Sequence, residues 1–206
     1  MTGQQSGPQR AGRILVALTG ASGAAYGVGC VRRLLGEGFA VSVLVSDAAR
    51  RVLSIEHGLG ADPREWFELP QDADLQTHDV RDIAAAPASG SRAPRAMIVA
   101  PCSMGTAARI AAGLSGNLIE RAADVVMKER RPLVVVPRET PLSSIHLRNL
   151  LTLSDAGVRV VPAMPAFYNK PETVEDMVDF VVDRALDAAG LELPLRKRWH
   201  PPGESA

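Results

Sequence analysis

The residues best suited to chemistry are three cations and a carboxylate set around one apolar run. Arg121 and Lys128 stand seven residues apart, two turns along one face of a helical segment, and Arg138-Glu139 follow Leu133-Val134-Val135-Val136. That run is short, wholly apolar and β-branched, as a parallel strand covered by helices on both faces requires. In open α/β sheets, ligands bind in the crevice beyond the carboxyl ends of such strands. Arg138 and Glu139, stiffened by Pro137 and Pro141, therefore read as site residues, although a solvated loop with a surface ion pair fits the same letters. Arg121 and Lys128, joined by Arg138 beyond the strand, could neutralise a phosphate. Arg130 and Arg131 are expected instead to complement the dipole at the helix C-terminus.

Three loops could hold the rest of a ligand. Thr19-Gly20-Ala21-Ser22-Gly23 is a strand-to-helix glycine turn whose backbone N–H groups and helix dipole favour a phosphate, or else an ordinary turn that needs glycine for packing. It lacks the Lys-Ser/Thr of a Walker A loop and the full G-x-G-x-x-G spacing. The second strand ends in Ser46 rather than in an acidic residue for a ribose 2'-hydroxyl, which argues against NAD and leaves a mononucleotide such as FMN. Pro87-Ala88-Ser89-Gly90-Ser91 before one strand and Ser103-Met104-Gly105-Thr106 after it are expected on the same sheet edge. Both offer hydroxyls and N–H groups to an anion or a flavin edge, and both also fit plain capping. No Asp-Asp-x-x-Asp run, histidine pair at ligand spacing or Gly-x-Ser-x-Gly is present, which disfavours metal catalysis and acyl-serine chemistry. His57, His78, His146 and His200 are scattered and fit surface or capping roles.

The elements that must position these residues alternate. Arg13–Thr19 is a strand, followed by a helix ending near Gly36–Gly38; a strand Ala40–Val45 meets Ser46 as N-cap of a helix running to about His57. Residues 58–76 are irregular, and His78–Ile83 suggests a short strand. Then come a strand Ala96–Ala100, a helix Gly105–Ala112, a helix Asn117–Arg130, the strand Leu133–Val136, a helix Ser143–Ala156 and a strand Val158–Val161. The last helix has the clearest period. Thr173 and Asp176 form a capping pair, and Val174, Met177, Val178, Val181, Val182, Ala185 and Leu186 make an apolar stripe. Glu175, Asp176, Asp179 and Asp183 are expected on the solvated side, with Arg184 flanking the stripe. The alternation implies an α/β fold, Rossmann-like and doubly wound on a mostly parallel sheet, in a single domain.

At 206 residues and 46% hydrophobic content, the chain can bury a full core in one domain. Residues 1–12 are expected as a disordered leader, 13–193 as the domain and 194–206 as a tail in which only Trp199 invites ordering. Zero net charge removes the electrostatic footprint of a nucleic-acid binder, so the basic clusters act locally on a small anion. Two cysteines, Cys30 and Cys102, make neither a disulfide framework nor a zinc site and fit a reducing cytoplasm. Thr19, Gly20, Ser22, Gly23 and Gly27 interrupt the apolar stretch 13–30 before it could serve as a signal sequence or span a bilayer.

Taken in order, TGASGAAYG (Thr19–Gly27), Ser46 in LVSDAAR, Glu56 in SIEHG, PASGS, PCSMGT, the stretch from Glu120 to Pro141, PAFYNKP (Pro165–Pro171) and VDRAL resemble the UbiX-type flavin prenyltransferases over roughly residues 13–200. The resemblance implies metal-independent transfer of a dimethylallyl group from dimethylallyl phosphate to N5 and C6 of reduced FMN. The product is prenylated FMN, which serves UbiD-type decarboxylases. It implies that Gly20, Ala21, Ser22, Ser46, Ser103, Met104, Gly105, Thr106 and Arg138 hold FMN. Arg121, Lys128, Glu139, Tyr168 and Arg184 would hold the prenyl phosphate, and Trp199 and Tyr168 would offer π faces to an allylic cation. Glu139 and Lys128 would serve the departing phosphate, and Ser22 and Glu56 would handle protons during ring closure. It further implies sites formed between subunits of a dodecamer in the cytoplasm. The alternatives are an FMN-dependent cysteine-type decarboxylase, whose Pro-x-Met-Asn signature is not matched by Pro162-Ala163-Met164-Pro165, and an FMN carrier without catalysis.

Overall fold

A computed structural model describes residues 12–191 and 193. The expectations for the leader and the tail, Trp199 and His200 included, fall outside those residues, apart from Gly12. Six strands form one sheet in the order β3-β2-β1-β4-β5-β6: β1 Ile14–Leu18, β2 Val41–Val45, β3 Leu75–His78, β4 Ala96–Cys102, β5 Leu133–Pro137 and β6 Arg159–Val160. Every pairing is parallel. The helices are α1 Ala24–Gly36, α2 Asp47–His57, α3 Met104–Ala111, α4 Leu118–Lys128, α5 Ser144–Asp155 and α6 Val174–Ala188.

The apolar strands are buried along their whole length because both faces of the sheet are covered. Successive side chains alternate between two cores. Ile14, Val16 and Leu18 pack with α1, α2 and α6, while Leu15 and Ala17 pack with α3, α4 and α5. Chain direction across the sheet reverses between β1 and β4, the adjacent strands from which the two halves grow outward. That switch point is where an open α/β sheet leaves a crevice at its carboxyl edge.

Two sequence expectations need correction here. The third strand is Leu75–His78 rather than His78–Ile83. Asp79 and Asp82 accept from the backbone N–H groups of Arg81 and Ala84, and these local turns end the strand just where the apolar letters suggested it began. Asp183 is buried rather than solvated, since α6 turns it toward Cys30 on α1. Burial and that carboxylate together push the Cys30 thiol up to about 12. The capping box of Thr173 and Asp176 forms as expected.

Gly27 sets how closely α1 approaches the sheet. A Cβ there would run into the Ala100 carbonyl oxygen and stand 2.5 Å from Leu18 Cγ. Gly27→Ala is therefore expected to lower stability by about 2–3 kcal/mol through overpacking, read as a lower midpoint in thermal or urea unfolding.

Candidate active site

The crevice is built around Thr19, the buried residue that follows β1. Its hydroxyl donates to the Pro101 carbonyl at 2.8 Å and accepts from the Ser103 backbone N–H at 2.7 Å. One side chain thus ties the β1–α1 turn to the β4–α3 turn across the switch point. On the β4 side, Ser103 caps α3, accepting from the Thr106 backbone N–H and bonding the Thr106 hydroxyl at 3.0 Å. On the β2 side, Ser46 caps α2 by accepting from the Ala49 N–H, as its position after the strand led one to expect.

The glycine turn is organised differently from the phosphate cradle expected of it. Gly23 has φ 102°, a conformation that glycine adopts without strain, and it opens α1 with its N–H directed at Glu56. Both Glu56 carboxylate oxygens lie 3.0 Å from Gly23 N, and Oε2 lies 2.9 Å from Ala24 N. A side chain from the last turn of α2 therefore fills the anion position at the N-terminus of α1. Burial pushes the Glu56 carboxyl up. The hydrogen bonds from Ser22, Ala24 and Gly23, with His57 3.9 Å away, outweigh it and leave the group below the ordinary carboxylate value. Glu56 is thus a carboxylate at neutral pH, able to accept a proton.

Arg138 closes the crevice from the end of β5. Its Nε donates to the Ser22 carbonyl at 2.9 Å, and its backbone N–H is held by the Cys102 carbonyl. Tyr26 lies beside it; burial raises the phenol's pKa and the Arg138 charge opposes that rise. Glu139 is exposed and accepts from the Thr140 N–H at 2.9 Å. Gly20, Ala21, Ser22, Ser46, Glu56, Ser103 to Thr106, Arg138 and Glu139 thus share one edge of the sheet.

The remaining predicted residues have other partners in the structure. Lys128 is the last residue of α4, which leads into the start of β5, so it stands at the opposite sheet edge from Arg138. The strand between them spans roughly 17 Å. Its Nζ pairs with Glu129 at 2.7 Å and lies 2.9 Å from where a Cβ on Gly90 would be. Pro87–Ser91 leads into the start of β4 and therefore also sits at the far edge, contrary to the expectation that it shares an edge with Ser103–Thr106; loops before and after one strand lie at its opposite ends. Arg121 pairs with Asp124 along α4 at 2.8 Å. Tyr168 meets Phe180 edge-on at 6.1 Å, and Arg184, paired with Asp187, lines a cavity of about 280 Å³ with Val161, Met164 and Phe180 beside β6. Arg131, expected to serve the helix dipole, donates to the Ala93 and Pro94 carbonyls of the loop before β4. His146 caps α5 with Ser143, the role foreseen for it.

Sequence reasoning passed over Thr19 as a side chain, Tyr26, and the pair Arg109 and Glu120. An Asn-x-x-Glu pattern at Asn117–Glu120, a helix-start signature, was the one local signal available.

A family model described as Flavoprotein matches residues 2–186. The flavin prenyltransferase UbiX of Halalkalibacterium halodurans is 48% identical over 188 residues, which cover 89% of this chain and 91% of that protein. The chain belongs to the UbiX-type flavin prenyltransferases. Two solved structures of similar proteins share the fold closely. One is a dodecameric FMN-dependent UbiX-like decarboxylase from Escherichia coli O157:H7, at TM-score 0.83 and 45% identity, covering 92% of this chain and 100% of that one. The other is AnUbiX (PadA1) in complex with FMN and dimethylallyl pyrophosphate, at TM-score 0.84 and 40% identity, covering 92% and 97%. Among the described residues, no helix is long and apolar enough to cross a membrane.

Proposed function

We propose that this chain is a flavin prenyltransferase that moves a dimethylallyl group from dimethylallyl phosphate to N5 and C6 of reduced FMN, without a metal. The observation that carries the reading is the meeting of Ser22, Glu56 and Arg138 at the switch-point crevice, beside a helix start that carries no acidic residue. The crevice suits FMN: the first turn of α3 offers N–H groups and the hydroxyls of Ser103 and Thr106, and Gly105 places no side chain over them. Gly20, Ala21, Ser46 and Met104 complete that lining, and Arg138 holds the flavin from the β5 side.

In the reaction the allylic C–O bond breaks and its electron pair leaves on the phosphate. The carbon that held the phosphate bonds N5 as the N5 proton leaves; protonation of the remaining C=C then makes its tertiary carbon the electrophile that C6 attacks, and the C6 proton passes to a base. Arg121, Lys128, Tyr168 and Arg184 receive the phosphate, and each well-placed donor is worth about 3–4 kcal/mol to the developing charge. Glu139 passes a proton to or from the departing phosphate, and Glu56 with Ser22 takes the proton released on ring closure. The separation of Lys128 from Arg138 within one chain supports a site completed by neighbouring subunits, in an assembly like the dodecamer of the E. coli protein. The enzyme then works in the cytoplasm and supplies prenylated FMN to a UbiD-type decarboxylase.

Anaerobic incubation with reduced FMN and dimethylallyl phosphate, followed by mass analysis of the released flavin, tests the reading. A gain of one C5 unit is expected. Unmodified flavin that nonetheless co-purifies would support a decarboxylase or carrier instead. Arg138→Ala is expected to weaken FMN retention by about 10-fold or more, since it removes a charge-assisted contact, and unchanged FMN affinity in a fluorescence titration would remove Arg138 from the flavin site.

A further inference from the structure

Three helix starts face the crevice, and two hold an anion of the protein's own. Glu56 occupies α1, and Asp47 opens α2, paired with Arg81 at 2.8 Å. The first turn of α3 has no acidic residue. A cation points there instead: Arg109, one turn along α3, reaches back as helical side chains do. Both of its terminal nitrogens lie 4.0 Å from where a Cβ on Gly105 would stand. Gly105 has neither a positive φ nor a crowded position, so its missing side chain leaves the outer edge of the guanidinium uncovered.

The Arg109 side chain is 53% exposed and is anchored along one side of its guanidinium. Its Nε donates to Glu120 Oε1 at 2.8 Å, and the Glu120 side chain is only 3% exposed. The same carboxylate accepts from Asn117 Nδ2 and from the Gly116 N–H, each at 2.8 Å, while Asn117 caps α4. A buried carboxylate held by three donors restricts the orientation of its partner. The two terminal nitrogens of Arg109 have no partner among the described residues.

We propose that Arg109 is a further phosphate-binding residue of this site and that Glu120 is the positioning residue that aims it. The inference rests on the flavin prenyltransferase reading, which brings two phosphate monoesters to the crevice, one on FMN and one on the prenyl donor. Either presents the same chemistry: a dianion gripped by two N–H donors of a planar fork, with the N–H groups of α3 behind it.

The test compares wild type and Arg109→Ala in binding of FMN and of riboflavin, and in the KM for dimethylallyl phosphate. One constant is expected to rise about 10- to 100-fold, as for loss of a charged hydrogen-bonding pair. A higher Kd for FMN with riboflavin unchanged assigns the flavin phosphate, and a higher KM with FMN binding unchanged assigns the donor phosphate. Arg109→Lys keeps a cation beside Glu120 but loses the fork, and is expected to fall between. Glu120→Gln should raise the same constant, and the double variant should be no worse than Arg109→Ala alone, as for two residues acting as one unit. The inference is overturned if Arg109→Ala changes neither constant, or weakens riboflavin and FMN equally. A wild-type protein that binds no FMN would overturn the prenyltransferase reading itself, before any variant is compared.

Discussion

Lys128→Ala is expected to lower turnover by about 100-fold or more while FMN stays bound, because it removes a donor to the phosphate that leaves but nothing that touches the flavin. Arg184→Ala is expected to behave alike. The geometry makes this prediction sharper than a simple loss of rate. Lys128 and Arg138 stand at opposite edges of the same sheet, so a lysine that serves the reaction must serve the crevice of a neighbouring subunit. Two inactive variants damaged on opposite edges, Lys128→Ala and Glu139→Ala, should then complement each other. Mixed subunits after dissociation and reassembly would form intact sites from the carboxyl edge of one variant and the lysine of the other, restoring up to about a quarter of the wild-type rate if subunits mix at random. Wild-type turnover in Lys128→Ala would remove the residue from the mechanism, and an inactive mixture of properly reassembled variants would place its effect within one chain.

Why the sequence revealed some of this and hid the rest follows from the range of the interactions. Leu133–Val136 and Ala96–Ala100 announce buried strands because both faces are covered, and α6 announces itself through a stripe that needs only its own residues. The caps at Ser46, Ser103, Ser143 and Thr173 are equally local, each closed within three residues. Errors came where a local pattern met a long-range one. Val80 and Ile83 suggested a strand, but Asp79 and Asp82 could satisfy their neighbours' N–H groups more cheaply in turns. Pro87–Ser91 looked like a partner of Ser103–Thr106 only while strand direction was left out of account.

The same range governs what could be read of the candidate site. Arg138, Ser22 and Glu56 were nominated separately, on a strand end, a glycine turn and a motif. No spacing could say that Glu56, 33 residues on from Gly23, supplies the anion that the turn was expected to take from a ligand. Thr19 and Arg109 were invisible for the same reason. Their partners are brought to them by the winding of β1, β4 and α4, whereas Glu120 also bonds its sequence neighbours Gly116 and Asn117.

Glu56→Gln isolates the proton-handling role, because the amide oxygen can still accept from Gly23 and Ala24 while the group can no longer take up a proton. Turnover is expected to fall by about 100-fold with little change in FMN affinity, and the unfolding midpoint should shift only by the part of the helix-terminus interaction that needs a full charge, about 1 kcal/mol or less. The pH dependence has a definite sign. Hydrogen bonds from Ser22, Ala24 and Gly23 hold the folded-state pKa below the ordinary value of 4.5. Glu56 therefore remains a competent base from neutral pH down past that value, and its contribution to stability is present above the unfolded pKa and lost as pH falls through the folded one. In wild type, a decline in kcat/KM that belongs to Glu56 is expected below the ordinary carboxylate range; Glu56→Gln should be slow at every pH and lack that decline. If Glu56→Gln keeps the wild-type rate at neutral pH, the carboxylate is a helix cap alone and the base for ring closure lies elsewhere in the crevice.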